Sequence, residues 1–100
     1  MTDQTEVQRR FAEWQEAHSR ANDRGLDYEE VERLSDIAEA LGATLCEVPS
    51  QTHADVALKL CAFSNFGEWG LPTVTDAPLF WAEVEAMRRG QPLPIMEAAR

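Results

Sequence analysis

The chain has 100 residues, 44% of them apolar, with eighteen acids against nine bases, a formal charge of −9 and a pI near 4.5. That length holds one domain with one modest core, and leaves little room for a deep, sequestered active site as well. The charge argues against direct contact with nucleic acid or an anionic membrane, which depends on Lys and Arg, and favours a basic protein as partner.

Thr2 or Asp3 is placed to cap a first helix, in which Val7, Phe11, Trp14, His18 and Ala21 recur at steps of four and three as an inward seam. This helix is expected to run to about Arg24, with Gly25 supplying a left-handed cap. Asp27 and Glu30 stand at capping-box spacing for a second helix, so the two helices are expected to pack as antiparallel neighbours.

The second helix, read as 27–48, is the element the chain is organised around. Val31, Leu34, Ala38, Leu41 and Leu45 fall on one side of it, and Glu29, Glu32, Asp36, Glu39 and Glu47 on the other. Gly42 costs about 1 kcal/mol against Ala in a helix interior, and a stop there is the competing reading. The apolar stripe nevertheless continues through Leu45 and Val48, so Pro49 is expected to end the helix.

Ser50 or Thr52 is placed to cap a third helix, with Asp55 three residues after Thr52. Val56, Ala57, Leu60, Phe63 and Ser64 line one face, Leu58 and Cys61 widen it, and Lys59 is its only charge after Asp55. So apolar a helix is expected at the centre of the core. Regular structure breaks over 65–75, where Gly67 and Gly70 permit positive φ and Pro72 interrupts any helix. Thr75 or Asp76 caps a last helix with Pro78 in its first turn and Leu79, Phe80, Trp81, Val84 and Met87 on its buried face; Arg88 and Arg89 suit its C-terminal end, and Gly90 stops it. Residues 91–100 read as a tail, with Ile95 and Met96 as candidates to fold back. No β-alternation or repeat appears, so the expected fold is all-α, a compact bundle of four helices.

Charge is concentrated. Residues 27–48 carry seven acids and one base, Arg33, and so hold −6 of the −9. Glu29, Glu32, Asp36 and Glu39 place four carboxylates along about 15 Å of helix axis. Phosphates on one DNA strand recur every ~3.4 Å of axis, so this ridge is a diluted imitation of that field. A solvated helix face is the ordinary explanation of such a ridge. Against it stands the scarcity of basic partners: Glu29 with Arg33 is the one i,i+4 ion pair the ridge offers. Phe66 and Trp69, in a glycine-flanked loop, are expected to cover the end of the bundle, with a role as an exposed partner anchor as the alternative.

No arrangement carries catalytic chemistry. Cys46, His53 and Cys61 match no metal-ligand spacing, and no third group orients His53 toward Cys46 as a base toward a nucleophile. The many carboxylates lack a cleft that would raise one pKa, His18 belongs to the helix seam, and Gly67 and Gly70 lack the Lys and helix start of a phosphate loop. Two cysteines in a chain with neither a basic n-region nor an apolar h-region at its start, and with no membrane-length apolar run, read as reduced thiols in a cytoplasmic protein.

Pro49-Ser50-Gln51-Thr52 followed by Asp55-Val56-Ala57-Leu58-Lys59-Leu60 resembles a segment of short helical proteins encoded in bacterial prophages and mobile elements. There a Pro, a Thr cap and a Val-Ala-x-Lys-Leu helix follow a long acidic helix, with an aspartate-started helix near the C-terminus. The likeness covers about half of the chain. The class includes anti-CRISPR proteins, some of which resemble nucleic acid in charge and block a basic channel. The resemblance implies a non-enzymatic inhibitor without cofactors that binds a basic, nucleic-acid-binding complex. On the residues themselves, Glu29, Glu32, Asp36, Glu39, Glu47 and Trp69 are the candidate contacts. The competing reading is a helical oligomeric scaffold, such as a homodimer, or a regulatory interaction module, in which Trp14, Trp69 or Trp81 forms an aromatic interface and the acids maintain solubility.

Overall fold

A computed structural model describes residues 4–23 and 25–94. They form four helices: α1 (Glu6–Ala21), α2 (Tyr28–Leu45), α3 (His53–Ser64) and α4 (Pro78–Arg88), with no strand among them. The fold is the expected all-α, four-helix arrangement, and the helix ends carry the corrections. Thr5, not Thr2 or Asp3, caps α1: its hydroxyl accepts from the Gln8 N–H at 3.0 Å while the Gln8 side chain accepts from the Thr5 N–H at 2.9 Å. The helix stops at Ala21 with Asn22 as its C-cap, short of Arg24, because the Asn22 amide turns back onto the His18 carbonyl.

Asp27 caps α2 as expected, its carboxylate accepting from the Glu30 N–H at 2.9 Å. The helix passes through Gly42 and ends at Leu45, before Pro49; residues 46–48 form a turn, with the Glu47 and Val48 N–H groups donating to the carbonyls of Thr44 and Leu45. Gly42 has a packing reason. A Cβ there would lie 3.1 Å from the Ala62 carbonyl oxygen and 3.3 Å from Trp14 Nε1, so glycine lets α1, α2 and α3 come this close without displacing either neighbour.

Thr52 caps α3 in a full capping box with Asp55. Asp55 is wholly buried and does more than cap. Its Oδ1 accepts the Thr5 hydroxyl at 2.8 Å and its Oδ2 accepts the Gln51 N–H at 2.9 Å, which ties the start of α3 to the start of α1. At α4, Thr75 and Asp76 do not cap: Ala77 holds the N-cap position without a side-chain bond, and Pro78 takes the first turn. The Thr73 hydroxyl instead accepts the Asp76 N–H at 3.0 Å.

The core has two parts joined by α3. Val7, Trp14, Ala38, Leu45 and Ala62 pack where α1, α2 and α3 meet, and Cys46, Val56, Ala77, Phe80 and Leu93 pack between α3 and α4. α3 contacts each of the other three helices, whereas α4 packs against α3 alone, so α3 is central as its composition implied. Its buried stripe differs from the expected one. Ala57 is exposed, while Lys59 is wholly buried and points at α4. Leu93 closes the second core part; the expectation that Ile95 and Met96 fold back lies outside the described residues. No described helix is long and apolar enough to cross a membrane.

Candidate functional site

Because α2 buries Leu34, Ala38, Gly42 and Leu45, its opposite side must face solvent, and Glu29, Glu32, Asp36 and Glu39 are all exposed; Glu47, expected on the same helix face, is exposed in the turn that follows α2. None of the five makes an ion pair among the described residues. Arg33, expected opposite Glu29, bonds instead to Glu30, one turn away on the flank of the ridge. The i,i+3 geometry lets Glu30 accept from Nε and Nη2 of the Arg33 guanidinium, and its carboxyl is held below the usual range by that hydrogen bonding.

Most of the other described cations are also engaged away from the ridge. Arg9 and Arg10 converge on Glu6, and Arg88 and Arg89 on Glu85; each pair of guanidinium groups holds its carboxyl down at about 2. Lys59 is committed to Glu83. Of the seven described cations six sit in these pairs, Arg20 being the exception, so among the described residues no ion pair offsets the ridge charge.

Sequence reasoning placed Trp69 over the end of the bundle, and the structure leaves it 50% exposed. The reason is the conformation of the link. Asn65 and Phe66 adopt left-handed φ of 50° and 56°, followed by Gly67 at 91°, which turns the chain sharply off α3. The Phe66 ring touches the Trp14 ring, with centroids 5.5 Å apart, yet stays 58% exposed; Leu71 and Val74 are exposed as well. His18 stacks on Trp14 at 4.9 Å and meets the Phe66 ring edge-on at 6.4 Å, a seam position in accord with its spacing.

The link and the ridge meet. A groove of about 590 Å³ runs between the C-terminal half of α2 and the link, walled by Glu39, Glu47 and Asp76 and by Phe63, Trp69 and Leu71. Four of these six lie on neither helix face that periodicity singles out as acidic, so only the tertiary structure brings them beside Glu39 and Glu47. Glu29, Glu32 and Asp36 lie further along α2, outside the groove.

The cysteines and His53 do not gather. Cys46 and Cys61 are free thiols, Cys46 lies in the second core part, and His53 is an exposed residue at the start of α3. Burial pushes the Cys46 thiol up to about 11, which removes it further from nucleophilic reactivity. Among the described residues no three His, Cys, Asp or Glu side chains converge as a metal-ligand set.

The buried ionic network is the feature that sequence reasoning missed. Lys59 Nζ donates to Glu83 Oε1 at 2.6 Å, and Glu83 also accepts the Ser50 hydroxyl at 2.9 Å and the Ser50 N–H at 2.7 Å. A lone Lys on an apolar helix, with Glu83 set between Trp81 and Val84 on another, was the available signal. The network is fully satisfied and shut from solvent, so it joins elements and offers no accessible chemistry. The chain matches no family model, no curated protein and no solved structure.

Proposed function

We propose that this is a non-enzymatic binding protein whose carboxylate ridge occupies a basic, nucleic-acid-binding surface of another protein, as an anti-CRISPR protein or comparable inhibitor would. The observation that carries the reading is the exposure of Glu29, Glu32, Asp36, Glu39 and Glu47 without one ion pair among the described residues, while the nearby cation Arg33 is drawn aside to Glu30. Unpaired like charges at i,i+3 and i,i+4 cost a few tenths of a kcal/mol each, and a protein surface supplying arginines and lysines relieves that repulsion on docking.

The test is competition. Capture from a host extract should yield a nucleic-acid-binding protein, and DNA or RNA should compete with the present chain for it. Replacing Glu29, Glu32 and Glu39 by Gln and Asp36 by Asn should keep helicity and abolish the competition, and raising salt from about 50 to about 500 mM should weaken binding steeply. Undiminished competition by the neutralised variant would exclude the ridge as the contact.

A second reading has its own observation: Phe66, Trp69, Leu71 and Val74 form an exposed apolar patch on one link. In that reading the patch joins copies of the chain and the acids serve solubility. Sedimentation at several concentrations separates the two, since only the second demands a concentration-dependent dimer lost on Trp69→Ala substitution.

A further inference from the structure

The 65–75 link is held by hydrogen bonds on both sides of Trp69 and Leu71, and these two side chains stay half or more exposed. Ser64 anchors the first end: its carbonyl accepts the Trp69 N–H at 2.8 Å and its hydroxyl accepts the Gly67 N–H at 3.0 Å. Buried Pro72 anchors the other, its carbonyl accepting the Trp81 indole N–H at 2.7 Å. Trp69 and Leu71 are therefore partly exposed on a backbone tied down on either side of them, which lowers the ordering cost of using them as contacts.

Two grooves of different chemistry flank this spur. On the α2 side the walls combine Glu39, Glu47 and Asp76 with Phe63, Trp69 and Leu71. On the other side a groove of about 450 Å³ is lined by Leu60, Cys61, Ser64, Phe66 and the same Trp69 and Leu71, with no charged side chain. An occupant matching both must carry a cation on a flat or apolar stem beside apolar side chains. A guanidinium fits the first groove better than an ammonium, because it is weakly hydrated, stacks on an indole face and donates to several carboxylates at once.

We propose that the 65–75 link is the seat of an arginine-bearing amphipathic segment of the partner protein, with the arginine side chain between Trp69 and the carboxylates of Glu39, Glu47 and Asp76, and flanking apolar side chains in the groove beside Leu60 and Phe66. This rests on the reading that the partner is a basic protein, and it adds where and by what side chain that partner is gripped. Glu39 belongs to both the ridge and the groove, so electrostatic steering along α2 delivers a basic segment to this end of the helix.

The probe is a short labelled peptide of alternating arginine and leucine, followed by fluorescence anisotropy, beside the same peptide with citrulline for arginine. The arginine peptide should bind saturably, and citrulline should weaken it about tenfold or more. Trp69→Ala, and separately the Glu47→Gln/Asp76→Asn pair, should weaken it as much with unchanged helicity. The Glu29→Gln/Glu32→Gln/Asp36→Asn triple should change it by less than about threefold, as expected of charges that steer without touching.

Absence of saturable binding, equal affinity for the citrulline peptide, or indifference to Trp69→Ala would each overturn the proposal. So would equally tight binding of spermine, which would mark a small-polyamine site, or blockage of the groove by self-association in sedimentation, which would mark a seat for a second copy. The ridge reading stands or falls separately, on whether the triple variant still competes with nucleic acid for the captured partner.

Discussion

Lys59 and Glu83 form an ion pair at 2.6 Å with both side chains wholly buried, and this pair, completed by Ser50, joins α3 to α4. Breaking it from one side leaves an uncompensated charge in the interior, a cost of about 3–5 kcal/mol. Domains of this size have about 5–15 kcal/mol in all, so Lys59→Met and Glu83→Leu should each lower the urea midpoint steeply or leave α4 undocked. The double variant should recover part of the loss and no more, because the Ser50 N–H and hydroxyl would still lack their acceptor. A double variant no better than the singles would show that the pair is not coupled.

Gly42 sits where three helices converge, and two effects oppose one another on Gly42→Ala substitution. Helix propensity returns about 1 kcal/mol, while a methyl 3.1 Å from the Ala62 carbonyl and 3.3 Å from the Trp14 indole forces backbone or a buried ring to move, about 1–3 kcal/mol. Net destabilisation of about 1 kcal/mol is expected from chemical denaturation, with Gly42→Leu far worse. A stabilised Gly42→Ala would mean that α2 and α3 separate at little cost.

The two thiols should differ in reaction with iodoacetamide followed by mass spectrometry. Cys61 is partly exposed at the apolar groove and should label first, whereas Cys46 is buried with its pKa raised to about 11 and should label at the rate of unfolding. The same shift fixes an alkaline limb of stability. Between about 9 and about 11 the unfolded thiol ionises and the folded one does not, so stability present below pH 9 falls as pH rises through that window. Cys46→Ala should flatten this limb; an unchanged slope would assign it to other groups.

The ridge should carry a measurable cost in the free protein. Glu32 and Asp36 are one helical turn apart, and Glu29 and Asp36 each stand three residues from another ridge carboxylate, all of them exposed. Neutralising Glu29, Glu32, Asp36 and Glu39 together should raise stability by about 1 kcal/mol at low salt, and the gain should shrink as salt screens the charges. A neutralised variant that is less stable at every salt concentration would show that these side chains have structural partners.

Helix existence and order, and the inner faces of α1 and α2, were legible locally, because 3.6-residue periodicity and capping pairs such as Asp27–Glu30 and Thr52–Asp55 are short-range physics. The ends were less so. Thr5, rather than Thr2 or Asp3, became the α1 cap because its hydroxyl also reaches Asp55, fifty residues on. Likewise Arg33 could pair with Glu29 or Glu30 by spacing alone, and side-chain geometry chose Glu30.

What the sequence by itself determined is an acidic, all-α chain whose second helix buries one stripe and displays Glu29, Glu32, Asp36 and Glu39, since composition and period decide which faces meet water. What only the tertiary structure decided is how distant residues combine. Burial turned Lys59 and Glu83, unremarkable in a list of charges, into a paired bolt between helices, because an isolated charge there would be prohibitive. The left-handed turn at Asn65 and Phe66 swung Trp69 and Leu71 beside Glu39 and Glu47, creating a groove that no stretch of sequence contains.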